Sequence, residues 1–425
     1  MAKYKKHRQS ANQSRTGKRK VFDSSEVPMT RSEGISFVDA LALSEIQKKL
    51  QETLEYERDE IVGRSWHDHH PEGMTALQYR NGYGKPRSLT CGSGTMQIQM
   101  PRLRTPYESK IVEKYQRLTE AMQVLLPRLY LHGLATGDFQ PALGWLLGEE
   151  APLSGSTIVR MKEDWQKDYE QWKNQPLQAE YLYVWADGIY PKGGPVDETL
   201  ALLVVVGVNR LGEKKLLAIE EGYRESEESW TDLFRNMKKR GAQWLGLVVG
   251  DGIGGLWKAM RTVFPLARHQ RCWVHKMRNI LDKVPKKAHD EVLDHLRLIY
   301  HATSYKEAQR TKQEFIRRYR VLYPKAVQSL EEAGENLFTY FRFPRQHWKS
   351  IKTTNPIESL FSTVKLRTAA ARRMRTRLTT VCLVFQLLKM SERRLRRLRG
   401  YRLIPDTIDV MRSTKSTAAK VRCAA

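Results

Sequence analysis

Apolar positions along this chain follow two kinds of pattern, and the change from one to the other divides it. Through residues 34–64 and 115–173 they recur at helical spacing, which predicts helices. Three short runs of β-branched and aromatic residues follow, over 181–190, 199–208 and 215–219. Continuous apolar runs of this length are typical of buried strands, so we expect a sheet in the middle of the chain.

Helices and strands alternate after those three runs. The pattern predicts a helix over 228–240, a strand over 244–249, a helix over 254–263, and a strand leading into a helix within 269–284. The resulting order, β-β-β-α-β-α-β-α, is that of a ribonuclease H-like α/β domain. Residues 285–345 are charged and helical throughout, and we expect an all-α insertion domain there.

The ends of the chain differ in composition from its middle. Residues 1–33 carry many Lys, Arg, Ser and Gln and few apolar positions, which is typical of a disordered basic tail. We expect the α/β domain to occupy 176–284 and to be completed by 346–402, where one closing helix runs from about Pro356 almost to the end of that range. Residues 403–425 are expected to form a second tail.

Two segments before the sheet are candidates for DNA binding, in keeping with mainly helical N-terminal domains. Within residues 34–110, turn signals followed by alternation from Met96 to Met100 predict a short β-hairpin. Its cations, interleaved with Tyr and suited to phosphate contact, are Arg80, Lys85, Arg87, Arg102 and Arg104. Residues 111–175 hold two predicted helices joined by a short turn, a helix-turn-helix candidate with Arg160 on its second helix. An ordinary helical hairpin would show the same pattern.

The net charge of the chain indicates what kind of partner it binds. Lys and Arg total 73 against 47 Asp and Glu, a formal net charge of +26, which favours a polyanion such as nucleic acid. The longest apolar run, Leu200–Val208, is far shorter than the roughly 20 residues that span a bilayer. The N-terminus lacks the apolar region of a secretory signal, and four scattered cysteines do not make a disulfide framework. We therefore expect a cytoplasmic protein with no membrane partner.

Three carboxylates stand out against this basic background. Asp187 and Asp251 each end an apolar run, and Glu358 opens a basic helical segment. A crossover that contains a helix makes parallel neighbours of the first two strands, and sites in open α/β sheets lie at the carboxyl ends of strands. Alone, Asp251 would be an ordinary helix N-cap and Asp187 a turn residue. Together with the acid from a helix they predict a site for two Mg²⁺ ions, because Mg²⁺ prefers oxygen ligands.

Cations follow Glu358 closely along the chain. Between residues 365 and 402 there are 13 Lys or Arg and one acid, Glu392. Such an imbalance favours a track for DNA phosphates over a solvated helix face. The candidates for DNA contact here are Lys365, Arg367, Arg372 and Arg373.

Cys272 and His275 have the spacing of metal ligands. Zinc normally takes four ligands in a structural site, and no second Cys pair lies nearby in the sequence. We therefore expect the two residues to be structural neighbours of the carboxylates.

Five segments carry a family resemblance: RNGYGKPRSLTCGSGTMQIQMPRLR, DGIY, GDGIGGLWKAM, FPLARHQRCWVHKMRNILDKVP and TTNPIESLFSTVKLRT. In this order they resemble the Mutator-like family of bacterial insertion-sequence transposases, from about residue 75 to 390. The resemblance implies that Asp187, Asp251 and Glu358 are the catalytic DDE triad. It also implies that Cys272 and His275 are the family's Cys-x-x-His signature, followed by its insertion domain.

The implied function is that of a DNA transposase. It would bind terminal inverted repeats of double-stranded DNA as a homodimer, hydrolyse a phosphodiester at the element's end with Mg²⁺, for which Mn²⁺ could substitute, and join the 3′-hydroxyl to another strand. A nuclease or resolvase of the same fold that cuts without joining is the first alternative. A domesticated DNA-binding regulator with a silent site is the second, although the intact acids argue against it.

Overall fold

A long helix and four short strands form most of the first part of the protein. The computed structural model describes residues 31–65, 68, 78–134, 137–192, 199–222, 224–252, 254–370 and 376–423. These fall into two units, the first made of Met1–Leu126 with Gly137–Ser154 and the second of Pro127–Thr136 with Gly155–Ala425. Of the predicted basic tail, residues 1–30 lie outside the described ranges, and the first helix begins at Arg31.

In the first unit, α1 (Arg31–Val62) packs on four strands, which are β1 (Arg80–Tyr83), β2 (Arg87–Cys91), β3 (Gly94–Ile98) and β4 (Pro101–Leu103). Strands β2 and β3 form an antiparallel hairpin that closes between Cys91 and Gly94, which confirms the predicted hairpin. Strands β1 and β4 form a second antiparallel pair that the pattern did not predict. Leu54 of α1 joins Leu89, Met96, Ile98 and Val112 in the small core of this unit.

Residues 111–175 contain three helices rather than the predicted two. They are α2 (Glu120–His132), α3 (Phe139–Leu147) and α4 (Gly155–Lys173). Helix α2 ends at Gly133, whose φ of +127° is a backbone conformation that favours glycine and cannot continue a helix. Helix α3 belongs to the first unit and α4 to the second, so the helix-turn-helix arrangement stays a prediction.

A five-stranded mixed sheet is the centre of the second unit. Its strands are β5 (Glu180–Ile189), β6 (Ala201–Val208), β7 (Lys214–Gly222), β8 (Trp244–Gly250) and β9 (Arg268–Arg271). Their order in the sheet is β7-β6-β5-β8-β9; β5 to β7 are antiparallel, and β8 runs parallel to both β5 and β9. The predicted strands are confirmed to within three residues at each end. Every residue of β6 and of β8 is buried, which explains their continuous apolar sequences.

Three helices follow the strands in the predicted places, namely α5 (Glu227–Lys239), α6 (Gly254–Val263) and α7 (Trp273–Leu281). Ser226 caps α5 by accepting a hydrogen bond from the backbone N–H of Ser229, and apolar side chains at helical spacing bury one face of the helix. Trp230 and Phe234 of α5 lie in the main core with residues of α6 and of the sheet. This packing fixes the strand ends on which the candidate site depends.

The segment predicted as an all-α insertion is helical, with α8 (His289–His301), α9 (Tyr305–Tyr319), α10 (Pro324–Ala333) and short 3₁₀ turns up to His347. Its last part returns to the sheet. The backbone carbonyl of Leu337 accepts hydrogen bonds from Gln270 of β9 and from the indole N–H of Trp273. None of the helices in the described ranges is long and apolar enough to cross a membrane.

The prediction of one closing helix is wrong. The chain forms α11 (Trp348–Ile351), α12 (Asn355–Ala370) and α13 (Arg377–Glu392), and it is not helical from residue 395 to 398. Helix α13 has its own start, because extended Thr376 accepts a hydrogen bond from the backbone of Thr379. The predicted tail also forms a helix, α14 (Ile404–Cys423). The spacing of apolar residues alone did not predict that Thr376 caps a separate helix.

We predict that Trp230→Ala lowers the free energy of unfolding by about 3–5 kcal/mol, because it leaves a cavity where α5 packs on the sheet. Trp230 has no exposed surface. Urea denaturation of the full chain measures the change. Arg235→Ala, at an exposed position of the same helix, should stay within about 0.5 kcal/mol of the parent. Equal losses for the two variants would contradict the core described here.

Candidate active site

The first two predicted acids lie at one edge of the sheet. Strands β5 and β8 are parallel neighbours, and Trp185 stands opposite Val249 in their register. Asp187 and Asp251 each follow two residues later, so both backbones reach the same level of the sheet. The prediction that a helical crossover makes parallel neighbours of these strands is confirmed.

Asp187 lies in an environment that disfavours its charged form. Burial, followed by repulsion from Asp251, Glu225 and Glu358, raises its pKa from 3.8 to about 8. The backbone N–H of Gly188 donates to Asp187 Oδ1 over 2.9 Å and opposes this rise. The charges of Asp251, Glu225 and Glu358 therefore all act on Asp187, although these acids are far apart in sequence.

A fourth carboxylate, Glu225, was not among the predicted site residues. It directly precedes the cap of α5, and its Oε1 accepts a hydrogen bond from the Tyr190 hydroxyl. A Cβ on residue 188 would overlap the Glu225 carboxylate, so the absence of a side chain at Gly188 allows these two segments of the protein to approach each other. Burial and the charge of Asp251 raise the pKa of Glu225, while the Tyr190 hydrogen bond lowers it. In the sequence it is hidden in the acidic run RESEE, which is typical of a solvated helix start.

A cation, Arg271, is a neighbour of Asp251. Arg271 ends β9 beside Gly250, and its guanidinium packs over the backbone of Gly252. Burial lowers the pKa of Arg271, and the neighbouring Asp251 opposes that shift. Within the described residues, Nε of Arg271 is buried without a hydrogen-bond partner. A buried donor next to the acids is suited to an anionic ligand such as a phosphate oxygen.

Glu358 reaches this region from the first turn of α12. Its backbone N–H donates to the Thr354 carbonyl oxygen over 3.0 Å, and its Oε1 accepts a hydrogen bond from the Thr354 hydroxyl over 2.7 Å. His275 Nε2 lies 3.6 Å from the same oxygen. The carboxylate is therefore held by side chains outside the acid cluster.

Cys272 and His275 lie close to Glu358. Cys272 is fully buried and immediately precedes α7, and its Sγ lies 3.3 Å from the Thr354 backbone nitrogen and 3.2 Å from Thr354 Oγ1. Burial raises the pKa of the Cys272 thiol, although hydrogen bonds oppose the rise. One potential ligand atom from each of Cys272, His275 and Glu358 lies within 4.8 Å of the others. Oxygen donors dominate the acid edge and fit Mg²⁺, whereas this trio provides three ligands, one fewer than structural zinc takes.

The predicted DNA-contacting cations that the structure describes fall into two groups. Those with exposed side chains are Lys85, Arg102, Arg104, Arg160 and Lys365. Two others, Arg372 and Arg373, lie outside the described residues. The remaining three, Arg80, Arg87 and Arg367, are partly or fully covered and make contacts within the protein.

Those internal contacts are specific. Arg80 forms an ion pair with Asp59 at 3.0 Å. Arg87 donates to the Glu113 carbonyl oxygen over 3.1 Å. Arg367, only 6% exposed, places its guanidinium 4.9 Å from the ring centroid of Tyr130. A basic run in sequence does not reveal which of its members pack inward, because that depends on distant partners.

We predict that metal-free protein loses stability as the pH rises from about 5 to 8. Folding favours protonated Asp187, so this contribution is complete below the ordinary pKa near 3.9 and is lost as the pH approaches the raised value of about 8. Asp187→Asn should therefore raise the melting temperature in EDTA at pH 8 relative to the parent, with a smaller difference at pH 5. Thermal melts at both pH values test this. A difference that is the same at both would contradict the raised pKa.

Comparison with known proteins identifies the family. The model of the family described as "Transposase, Mutator family" matches residues 20–393. The chain is 42% identical over 284 residues to the transposase for insertion sequence element IS6120 of Mycolicibacterium smegmatis, a match that covers 67% of this chain and 88% of that protein. It is 32% identical over 331 residues to the transposase for insertion sequence element ISRM5 of Rhizobium meliloti, covering 77% of this chain and 81% of that protein. This chain belongs to the Mutator family of transposases.

Proposed function

We propose that this chain is the transposase of an insertion sequence, that it cuts DNA at the ends of its element, and that it joins the freed 3′-hydroxyl to another strand. The proposal is supported by Asp187 and Asp251 at neighbouring strand ends and by the charge of Glu358 acting on Asp187, in a Mutator-family protein. Relatives described as insertion-sequence transposases support the same activity.

The sheet supports a ribonuclease H-like catalytic domain. Three antiparallel strands followed by two parallel ones, each reached through a helix, give the order β7-β6-β5-β8-β9. The helical segment 285–345 interrupts this domain between α7 and α12, as an insertion domain would.

The proposed centre assigns a role to each side chain. Asp187, Asp251 and Glu358 would hold two Mg²⁺ ions, with Glu225 as a neighbouring carboxylate. Bound in this way, the ions would activate the attacking oxygen and stabilise the leaving oxygen of the phosphodiester. Asp187 must release its proton to act as a ligand, and its raised pKa makes that release part of metal binding. Arg271, beside Asp251, would hold the phosphate in place by donating to a non-bridging oxygen.

Binding to the terminal repeats is assigned to the N-terminal region. Lys85, Arg102 and Arg104 are exposed near β1 to β4, and Arg160 is exposed on α4.

The proposed assembly is a homodimer, because an element has two ends to be cut. A nuclease or resolvase that cuts without joining is the alternative, and detection of strand-transfer product separates it from a transposase.

We predict that Asp187→Asn, Asp251→Asn and Glu358→Gln each abolish cleavage of DNA carrying the element's ends in Mg²⁺, while end binding persists. The three should fail to similar extents because they act as one metal-holding unit. Gel assays of cleavage and joining, with a parallel binding assay, measure this. Glu314→Gln, a matched change at an exposed glutamate of α9, should retain full activity. Cleavage near the parent rate by one of the three would remove that residue from the centre.

We predict that replacing Lys85, Arg102 and Arg104 together by Ala weakens binding of the full chain to its terminal repeats. Each lost phosphate contact should reduce the slope of log affinity against log salt by about 0.9. Affinities measured over a range of salt concentrations test this. The control removes the same charge from α9 and α10, with Lys306, Arg310 and Lys325 changed to Ala. Equal effects in both variants would indicate general charge attraction in place of a defined binding region.

A further inference from the structure

We propose that Thr354 is a positioning residue that orients Glu358, and that Cys272 and His275 serve this role by holding Thr354. The inference rests on the proposed function, in which Glu358 is a catalytic carboxylate. It assigns a purpose to the Cys-x-x-His signature and adds a residue that lies outside that signature.

Thr354 is completely buried, and its backbone is fixed on both sides. Its N–H lies 3.3 Å from Cys272 Sγ, and its carbonyl oxygen accepts hydrogen bonds from Ile357 and Glu358 in the first turn of α12. Two residues earlier, the carbonyl oxygen of Lys352 accepts a hydrogen bond from Trp273. Thr354 therefore cannot move independently of either α7 or α12.

Cys272 connects the elements that carry two of the acids. Its backbone N–H donates to the Gly250 carbonyl oxygen over 2.7 Å, directly beside Asp251. Its thiol contacts Thr354, which in turn contacts Glu358. This path of hydrogen bonds fixes the helix that carries Glu358 relative to the strand end that carries Asp251, although 107 residues separate the two acids in sequence.

The Thr354 hydroxyl lies between the two residues that it links. Thr354 Oγ1 lies 2.7 Å from Glu358 Oε1, 3.2 Å from Cys272 Sγ and 3.4 Å from His275 Nδ1, and it carries a single proton. The hydroxyl is placed to donate to Glu358 Oε1 or to Cys272 Sγ, and the shorter of the two distances is the one to the carboxylate. Thr354 thus connects the buried sulfur of Cys272 to one defined oxygen of Glu358.

Both side-chain contacts of Glu358 in the described part of the protein fall on Oε1, one from Thr354 and one from His275. The terminal torsion of a glutamate is otherwise broad, so these contacts select its orientation. Oε2 is then the oxygen that remains to face a cation. Zinc bound by Cys272, His275 and Glu358 would need the thiolate and would compete with the proposed Mg²⁺ site for the same carboxylate.

The test compares Thr354→Val, which removes the hydroxyl at nearly constant shape, with Thr354→Ser, which restores it. Mn²⁺ binding to the full chain without DNA is measured by electron paramagnetic resonance, and the Mg²⁺ concentration for half-maximal cleavage is measured separately. Loss of a hydrogen bond to a ligating carboxylate typically costs 10–100-fold in metal affinity or activity. We expect Thr354→Val to weaken metal binding and raise the Mg²⁺ requirement by about that factor, and Thr354→Ser to recover most of the loss.

Thr380→Val is the matched control. Thr380 is also completely buried, but its hydroxyl donates to the carbonyl oxygen of Thr376, the residue that caps the same helix. Removal of this hydroxyl should therefore affect the stability of the protein and leave its Mg²⁺ requirement unchanged. If Thr354→Val does not fold, Cys272→Ala and Cys272→Ser replace the pair, and the serine is expected to bind Mn²⁺ more tightly than the alanine.

The possible results separate this inference from the proposed function. Unchanged Mn²⁺ affinity in Thr354→Val (or, in the replacement pair, equal affinity of Cys272→Ala and Cys272→Ser), together with loss of affinity in Glu358→Gln, would overturn the positioning role and leave the proposed function standing. Full metal binding and cleavage by Glu358→Gln itself would overturn the proposed function. Near-stoichiometric zinc in parent protein purified without added metal, absent from Cys272→Ser, would replace the positioning role with a zinc site.

Discussion

A buried carboxylate among other acids is the constraint on which the rest of this structure depends. Burial, together with the charges of Asp251, Glu225 and Glu358, raises the pKa of Asp187 to about 8. Without a cation such an arrangement opposes folding, because like charges are brought together in a partly dry place. Rigid packing must therefore hold it. Strands β5 and β8 provide that packing, since they are buried along most of their length and carry the first two acids on neighbouring ends.

The third acid depends on a different kind of support. Glu358 follows the helical segment 285–345, whose own packing does not determine where α12 begins. Hydrogen bonds near the acids make that connection: Cys272 to Gly250, Trp273 to Lys352, and Thr354 to both Cys272 and Glu358. Gln270 and Trp273 also bind the carbonyl oxygen of Leu337 at the end of the helical segment. A long insertion is compatible with a well-defined site because the chain is fixed again where it returns to the sheet.

The sequence predicted the sheet and the meeting of Asp187 with Asp251 because both follow from short-range pattern and chain topology. Every position of β6 and β8 is buried, so their apolar runs are continuous, and a helical crossover makes β8 a parallel neighbour of β5. Contacts that depend on distant partners were not predictable in this way. Arg367 packs over Tyr130, more than 200 residues away, and so is covered although its neighbours in the basic run suggested exposure. Glu225 was not predicted as a site residue, because acidic residues at the start of a helix are ordinarily solvated.

The contrast between the basic chain and its acidic edge couples DNA binding to metal binding in the proposed mechanism. A net charge of +26 attracts a polyanion to the protein as a whole, yet a phosphodiester that approaches the acidic residues around Asp187 meets repulsion. Arg271 supplies one compensating charge beside Asp251. Divalent cations, if bound as proposed, would remove the remaining repulsion and, by stabilising ionised Asp187, would offset the cost of holding the acids together. In the proposed mechanism the site would then admit a reacting phosphate only with the cations in place.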